Sequence, residues 1–101
     1  MPSPRAGVTI EVTATEFALA AEPVDGLIPA DYLIVLRNKG SAVHALAIRG
    51  PGVNEATRQL EPGQGTVDLQ ARLRPGSYVL WCPVGDHRER GMEVDLLVEA
   101  L

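Results

Sequence analysis

The 101-residue chain has a single cysteine, Cys82, and only two histidines. With one thiol there is no disulfide within the chain, and no C-x-x-C zinc or redox motif can be built. Basic charge is also short, at nine Lys and Arg against thirteen Asp and Glu, for a net charge of −4. The arginines are scattered singly or sit beside acids, so the basic stripe that a nucleic-acid partner requires is missing. No apolar run approaches the roughly 18–20 residues of a membrane span. The opening MPSPRAG is too polar and proline-rich for a signal peptide. What remains is one small domain, 1–101, that buries roughly two-thirds of the surface its unfolded form exposes.

What is present is period-two alternation. In Val8-Thr9-Ile10-Glu11-Val12-Thr13-Ala14 the even positions are apolar and the odd ones polar, the mark of a strand with one face on a core. Val67, Leu69, Ala71 and Leu73 repeat the pattern, and so do Met92, Val94, Leu96 and Val98. Segments 32–37, 43–49 and 77–81 read as more fully buried strands. Turn signals separate the runs at Asp25-Gly26, Asn38-Lys39-Gly40, Gly50-Pro51-Gly52, Pro62-Gly63 and Pro75-Gly76. The pattern predicts an all-β, two-sheet antiparallel Greek-key sandwich of about seven to eight strands. At most one short helix is expected, near 54–60, with Asn54 as its cap. Tyr78 faces inward, so its hydroxyl needs a backbone partner, as a tyrosine corner would provide.

The scarce soft ligands are concentrated. Cys82-x4-His87-x4-Met92 joins the end of one predicted strand to the start of another, and a loop of that kind can bend three side chains toward one point. His44 lies on the inward face that carries Leu46 and Ile48, and Cys82 shares its face with Tyr78 and Leu80. Taken singly, each residue has an ordinary explanation: His44 as a hydrogen-bonded core histidine, Cys82 and Met92 as core filler, His87 as a solvated loop residue. Core packing does not require all four to fall into one ligand template. A thiolate, two imidazoles and a thioether are the donor set of a blue-copper electron-transfer site, with Met as the weak axial ligand.

These motifs resemble those of the cupredoxins, in the plastocyanin, azurin and auracyanin group, over nearly the whole chain. Asn38-Lys39-Gly40-Ser41-Ala42-Val43-His44 is similar to the N-x-G-x-x-x-H segment of that family. Leu60-Glu61-Pro62-Gly63 and Pro75-Gly76-Ser77-Tyr78-Val79-Leu80-Trp81-Cys82 resemble its approach to the cysteine. Gly85-Asp86-His87-Arg88-Glu89-Arg90-Gly91-Met92 resembles its terminal ligand loop. Two positions depart from the family pattern: Ala45 stands where many members have Asn, and Val94 where many have Gly.

The resemblance implies a non-enzymatic electron carrier that cycles one copper ion between Cu(II) and Cu(I). His44, Cys82 and His87 would be the strong ligands and Met92 the axial one. Backbone N–H groups of Ala45 and Val84 are candidates to bond the Cys82 sulfur. His87 would be the electron port, with Pro83, Val84, Val43 and Pro51 around it as a docking patch and Trp81 as a second contact. Asp86, Arg88, Glu89 and Arg90 read as a solvated loop. The implied partners are unidentified redox proteins, and the implied protein is a periplasmic or otherwise extracytoplasmic monomer whose signal or anchor has been removed. A module that sequesters or delivers copper is the alternative.

Overall fold

In the computed structural model, which describes residues 8–100, eight strands form two four-stranded sheets packed face to face. The proline-rich opening segment lies outside the described residues. The strands are β1 (Thr9–Thr15), β2 (Ala18–Glu22), β3 (Ala30–Asn38), β4 (Ala47–Gly50), β5 (Val53–Ala56), β6 (Thr66–Leu73), β7 (Gly76–Trp81) and β8 (Glu93–Val98). One sheet runs β2-β1-β3-β6 and the other β5-β4-β7-β8. Alternation puts Ile10, Val12 and Ala14 of β1 and Tyr32, Ile34 and Leu36 of β3 on the inner face of the first sheet. Tyr78 and Leu80 of β7 and Leu96 and Val98 of β8 oppose them from the second. The all-β sandwich expected from the alternation is what the chain adopts.

Two local details refine the expectation. Among the described residues every strand pairing is antiparallel except one, β1 with β3, which are parallel from Thr9↔Leu33 to Ala14↔Asn38. Alternation reports which face is buried and is silent on the direction of the neighbour. The segment near 54–60 forms no helix. Pro51 and Gly52 make a two-residue turn, so Gly50 pairs with Val53 and Arg49 with Asn54, which becomes a strand residue rather than a cap. Farther along, Thr57 N–H donates to Leu46 O (2.8 Å) and Leu60 N–H to His44 O (2.7 Å). Those groups are then committed to the neighbouring chain and cannot close helical turns.

This pairing also shortens the strand expected at 43–49, because β4 proper begins only at Ala47. His44 is held instead by an isolated bridge to Leu60, and Thr57 Oγ1 takes the place of a backbone acceptor for Leu46 N–H (3.0 Å).

The crossing from β3 to β4 and the loop from β7 to β8 lie at one end of the sandwich, together with the β1–β2 turn. At the opposite end Tyr78 makes the expected corner. Its hydroxyl accepts from Arg74 N–H (2.8 Å) and lies 2.9 Å from Arg74 O and 3.3 Å from Pro51 O. The ring lies against Gly50, where an added Cβ would collide with it. Tyr32 repeats the device in the first sheet. Its hydroxyl accepts from Ile28 N–H (3.1 Å) and donates to Ile28 O (2.6 Å).

Candidate metal centre

Cys82 immediately follows β7 on the inward face and has no exposed surface. The loop it opens is a run of tight turns: His87 N–H donates to Val84 O, Arg90 N–H to His87 O and Gly91 N–H to Arg88 O. The loop closes on itself where Cys82 N–H donates to Met92 O (3.1 Å) and Met92 N–H to His87 O (3.1 Å). Met92 is thereby fixed beside both residues, and its side chain is wholly buried.

His44 approaches from the β3–β4 crossing and is also wholly buried. Its Nδ1 lies 3.8 Å from Cys82 Sγ, and His87 Nδ1 lies 3.5 Å from the same sulfur. The two rings are tilted by 56° with centroids 5.1 Å apart. Donor atoms of His44, Cys82 and His87 all fall within 4.8 Å of one another. Three ligands at metal–donor distances of about 2.0–2.3 Å in a trigonal plane stand roughly 3.5–3.8 Å apart, so the two sulfur–nitrogen separations fit a single ion. One sulfur and two imidazoles suit a soft or borderline transition metal.

Two contributors escaped the sequence reading, and they are neighbours. Glu16, in the β1–β2 turn, brings Oε2 to 2.8 Å from His44 Nε2. The same carboxylate accepts from the N–H groups of Ser41 (3.0 Å) and Ala42 (2.9 Å). The Ser41 N–H above all, then the Ala42 N–H and the His44 ring, hold the Glu16 carboxyl at about 2, against an ordinary value of 4.5. Next to it, Phe17 sets its ring 5.2 Å from that of His87, and the Arg90 guanidinium lies 5.0 Å from the centroid of the Phe17 ring. Glu16 sits 28 residues before His44, in a turn with no periodicity, and nothing local marks it. Phe17 carries one faint signal: it is the only phenylalanine in the chain.

The β3–β4 crossing has a second anchor. Asn38 is buried, donating from Nδ2 to Ala42 O (2.9 Å) and Leu60 O (2.8 Å) and accepting from Gly40 N–H (2.8 Å). Ala45 leaves no side-chain tie after His44, and Asn38 and Glu16 pin this segment instead. Among the described residues neither the Ala45 nor the Val84 N–H makes a hydrogen bond to Cys82 Sγ, whose polar neighbours are the two imidazoles.

Of the expected patch, Pro83 is exposed and Val43 and Val84 are half-buried, and all three lie within three residues of Cys82, His44 or His87 along the chain. Pro51 does not belong with them. It accepts from the Tyr78 hydroxyl and faces Gly76, at the far end of β4 and β7. Trp81 is half-buried with Arg88 4.4 Å over its ring and Arg49 6.0 Å away, and Arg88 also bonds Glu93 (2.8 Å). The charged loop is solvated as expected, with Arg90 2.9 Å from Asp86 and holding that carboxyl below its ordinary value.

No protein-family model and no curated protein matches this sequence. Solved structures do match. Auracyanin B superposes with a TM-score of 0.77 at 16% identity, covering 96% of this chain and 92% of its own. Auracyanin A, a blue copper protein from Chloroflexus aurantiacus, gives 0.69 at 18% identity, covering 91% and 98%.

The chain has the cupredoxin fold.

The cupredoxin sandwich also occurs within larger proteins. The copper-containing nitrite reductase of Thermus scotoductus matches with a TM-score of 0.69 at 14% identity, covering 91% of this chain but only 31% of the reductase. In this chain the cluster of His44, Cys82 and His87 lies at the end of the sandwich where the β3–β4 and β7–β8 connections meet.

Proposed function

We propose that this protein carries single electrons on one copper ion held by His44, Cys82, His87 and Met92. The observation that carries the reading is the convergence of one cysteine sulfur and two imidazole Nδ1 atoms in a sandwich shaped like that of a blue copper protein. Copper bound there would supply a Cu(II)/Cu(I) couple, since thiolate and thioether favour the reduced ion and imidazole suits the oxidised one.

The protein's own residues supply the rest. Cys82, His44 and Met92 are sealed from water, so the donor set is held by packing rather than by an ion that arrives. Only His87 among the four keeps an exposed edge, flanked by Val84 and Pro83, and we place docking of a redox partner there. Sequestration or delivery of copper calls for accessible ligands that can be handed over, and the burial of three of the four argues against it. An enzyme with a second copper centre would need further histidines, and the chain's two are both engaged. We further infer a monomer that works outside the cytoplasm, as the cupredoxin resemblance implies.

Titration of the metal-free protein with Cu(II) tests the reading. It should take up one equivalent with an intense visible band and a narrow copper hyperfine splitting, and Cys82→Ser should lose the band. A colourless or non-stoichiometric complex overturns it.

A further inference from the structure

We propose that Glu16 is the positioning residue for His44: its carboxylate holds the proton on Nε2, turns the Nδ1 lone pair toward the Cys82 sulfur, and sets a negative charge one imidazole away from the metal centre. The inference deepens the copper reading and rests on it for its redox part.

An ionised carboxylate can only accept hydrogen bonds, so at 2.8 Å from Glu16 Oε2 the His44 Nε2 must donate. In a neutral ring this leaves Nδ1 with its lone pair, on the side that faces Cys82 Sγ at 3.8 Å. His44 is wholly buried, and a buried ring N–H without an acceptor is disfavoured, so the tautomer follows the carboxylate.

The carboxylate is itself held in place. The Ser41 N–H, Ser41 Oγ and Ala42 N–H all bond it, so one group fixes both the ring and the loop that carries it. Gly40 is the seat for this arrangement. Its backbone is not in the left-handed region, and the atoms nearest to a Cβ placed there are those of the Glu16 carboxylate, so the requirement is for space. Carboxylate partners of metal-binding histidines fix ring orientation and raise ligand basicity. Here the added charge also favours the more highly charged state of the ion. The Glu16 side chain is 28% exposed, and water damps this part of the effect.

Two measurements test the proposal separately. In the metal-free protein, ring nitrogen-15 shifts of His44 should report one tautomer protonated on Nε2, and Glu16→Ala should give a mixture. An unchanged tautomer in that variant overturns the positioning role. In the copper protein, Glu16→Gln keeps an acceptor but loses the charge, and the preference for Cu(II) over Cu(I) should fall about tenfold, as a raised potential. Gly40→Ala keeps Glu16 but displaces its carboxylate, and should shift the potential in the same direction. Unchanged potentials in both variants overturn the charge coupling. If the unmodified protein takes up no stoichiometric copper, the copper reading and the charge coupling fall together, and the tautomer result still decides the positioning role.

Discussion

Met92 and Cys82 both offer buried sulfur, yet substitution should separate them. Met92→Leu keeps the volume and apolar character of the side chain, so copper should stay bound by the remaining three ligands while the potential rises on loss of the thioether. An unchanged potential measured by voltammetry would remove Met92 from the site. Phe17→Ala should act on His87 instead, by removing the ring that packs against it. Chemical modification of His87 in the metal-free protein should then become faster, and an unchanged rate would show that the ring does not shield it. The cluster of His44, Cys82 and His87 was legible in the sequence because cysteine and histidine are scarce here and the spacing from Cys82 to His87 is short. Glu16 and Phe17 were not, because they act across the sandwich on side chains far away in the chain. Pro51 illustrates the opposite error. It lies seven residues after His44, but the strand between them carries it to the other end of the fold.

β1, β6 and β8 were readable from alternation because one face of each must be apolar, and β3 and β7 from their apolar, β-branched composition. Three of the five residues of β2 are alanine, and β5 is four residues with three exposed, so neither carries a strong periodic signal. The failed helix at 54–60 has the same origin. Local propensity allowed it, and pairing of Thr57 and Leu60 with the His44 segment prevailed. The two tyrosine corners are a feature of single connections and can be tested as such. Tyr78→Phe keeps the ring over Gly50 but leaves Arg74 N–H without its acceptor, at a cost of about 1–2 kcal/mol. Denaturant titration should show a lower midpoint with the same slope, and a neutral result would mean that water replaces the hydroxyl. The residue that makes the corner was foreseeable from its inward face. Its partner Pro51 was not, because the β4–β5 turn approaches it only once both sheets are assembled.

Cys82 and Met92 belong to the hydrophobic core, but most of that core lies away from the ligand cluster. Ile10, Ile34, Leu36, Ile48, Leu80 and Leu96 are fully buried along the body of the sandwich, while the donors occupy one end. The metal-free protein should therefore fold by itself, unlike small domains that depend on a structural metal. Its far-ultraviolet circular dichroism should keep the β signature. Copper should raise the melting temperature by mass action, by about 2.7 kcal/mol of stability at a free concentration one hundred times Kd. A metal-free chain that is unfolded would contradict this. The reach of the contacts also has a temporal consequence. Glu16 and Phe17 belong to an early turn, His44 to the middle of the chain, and Cys82, His87 and Met92 to its last fifth. As the chain is synthesised, the carboxylate and its histidine emerge well before the thiol does. The cluster of His44, Cys82 and His87 can therefore assemble only once the β7–β8 loop has been made.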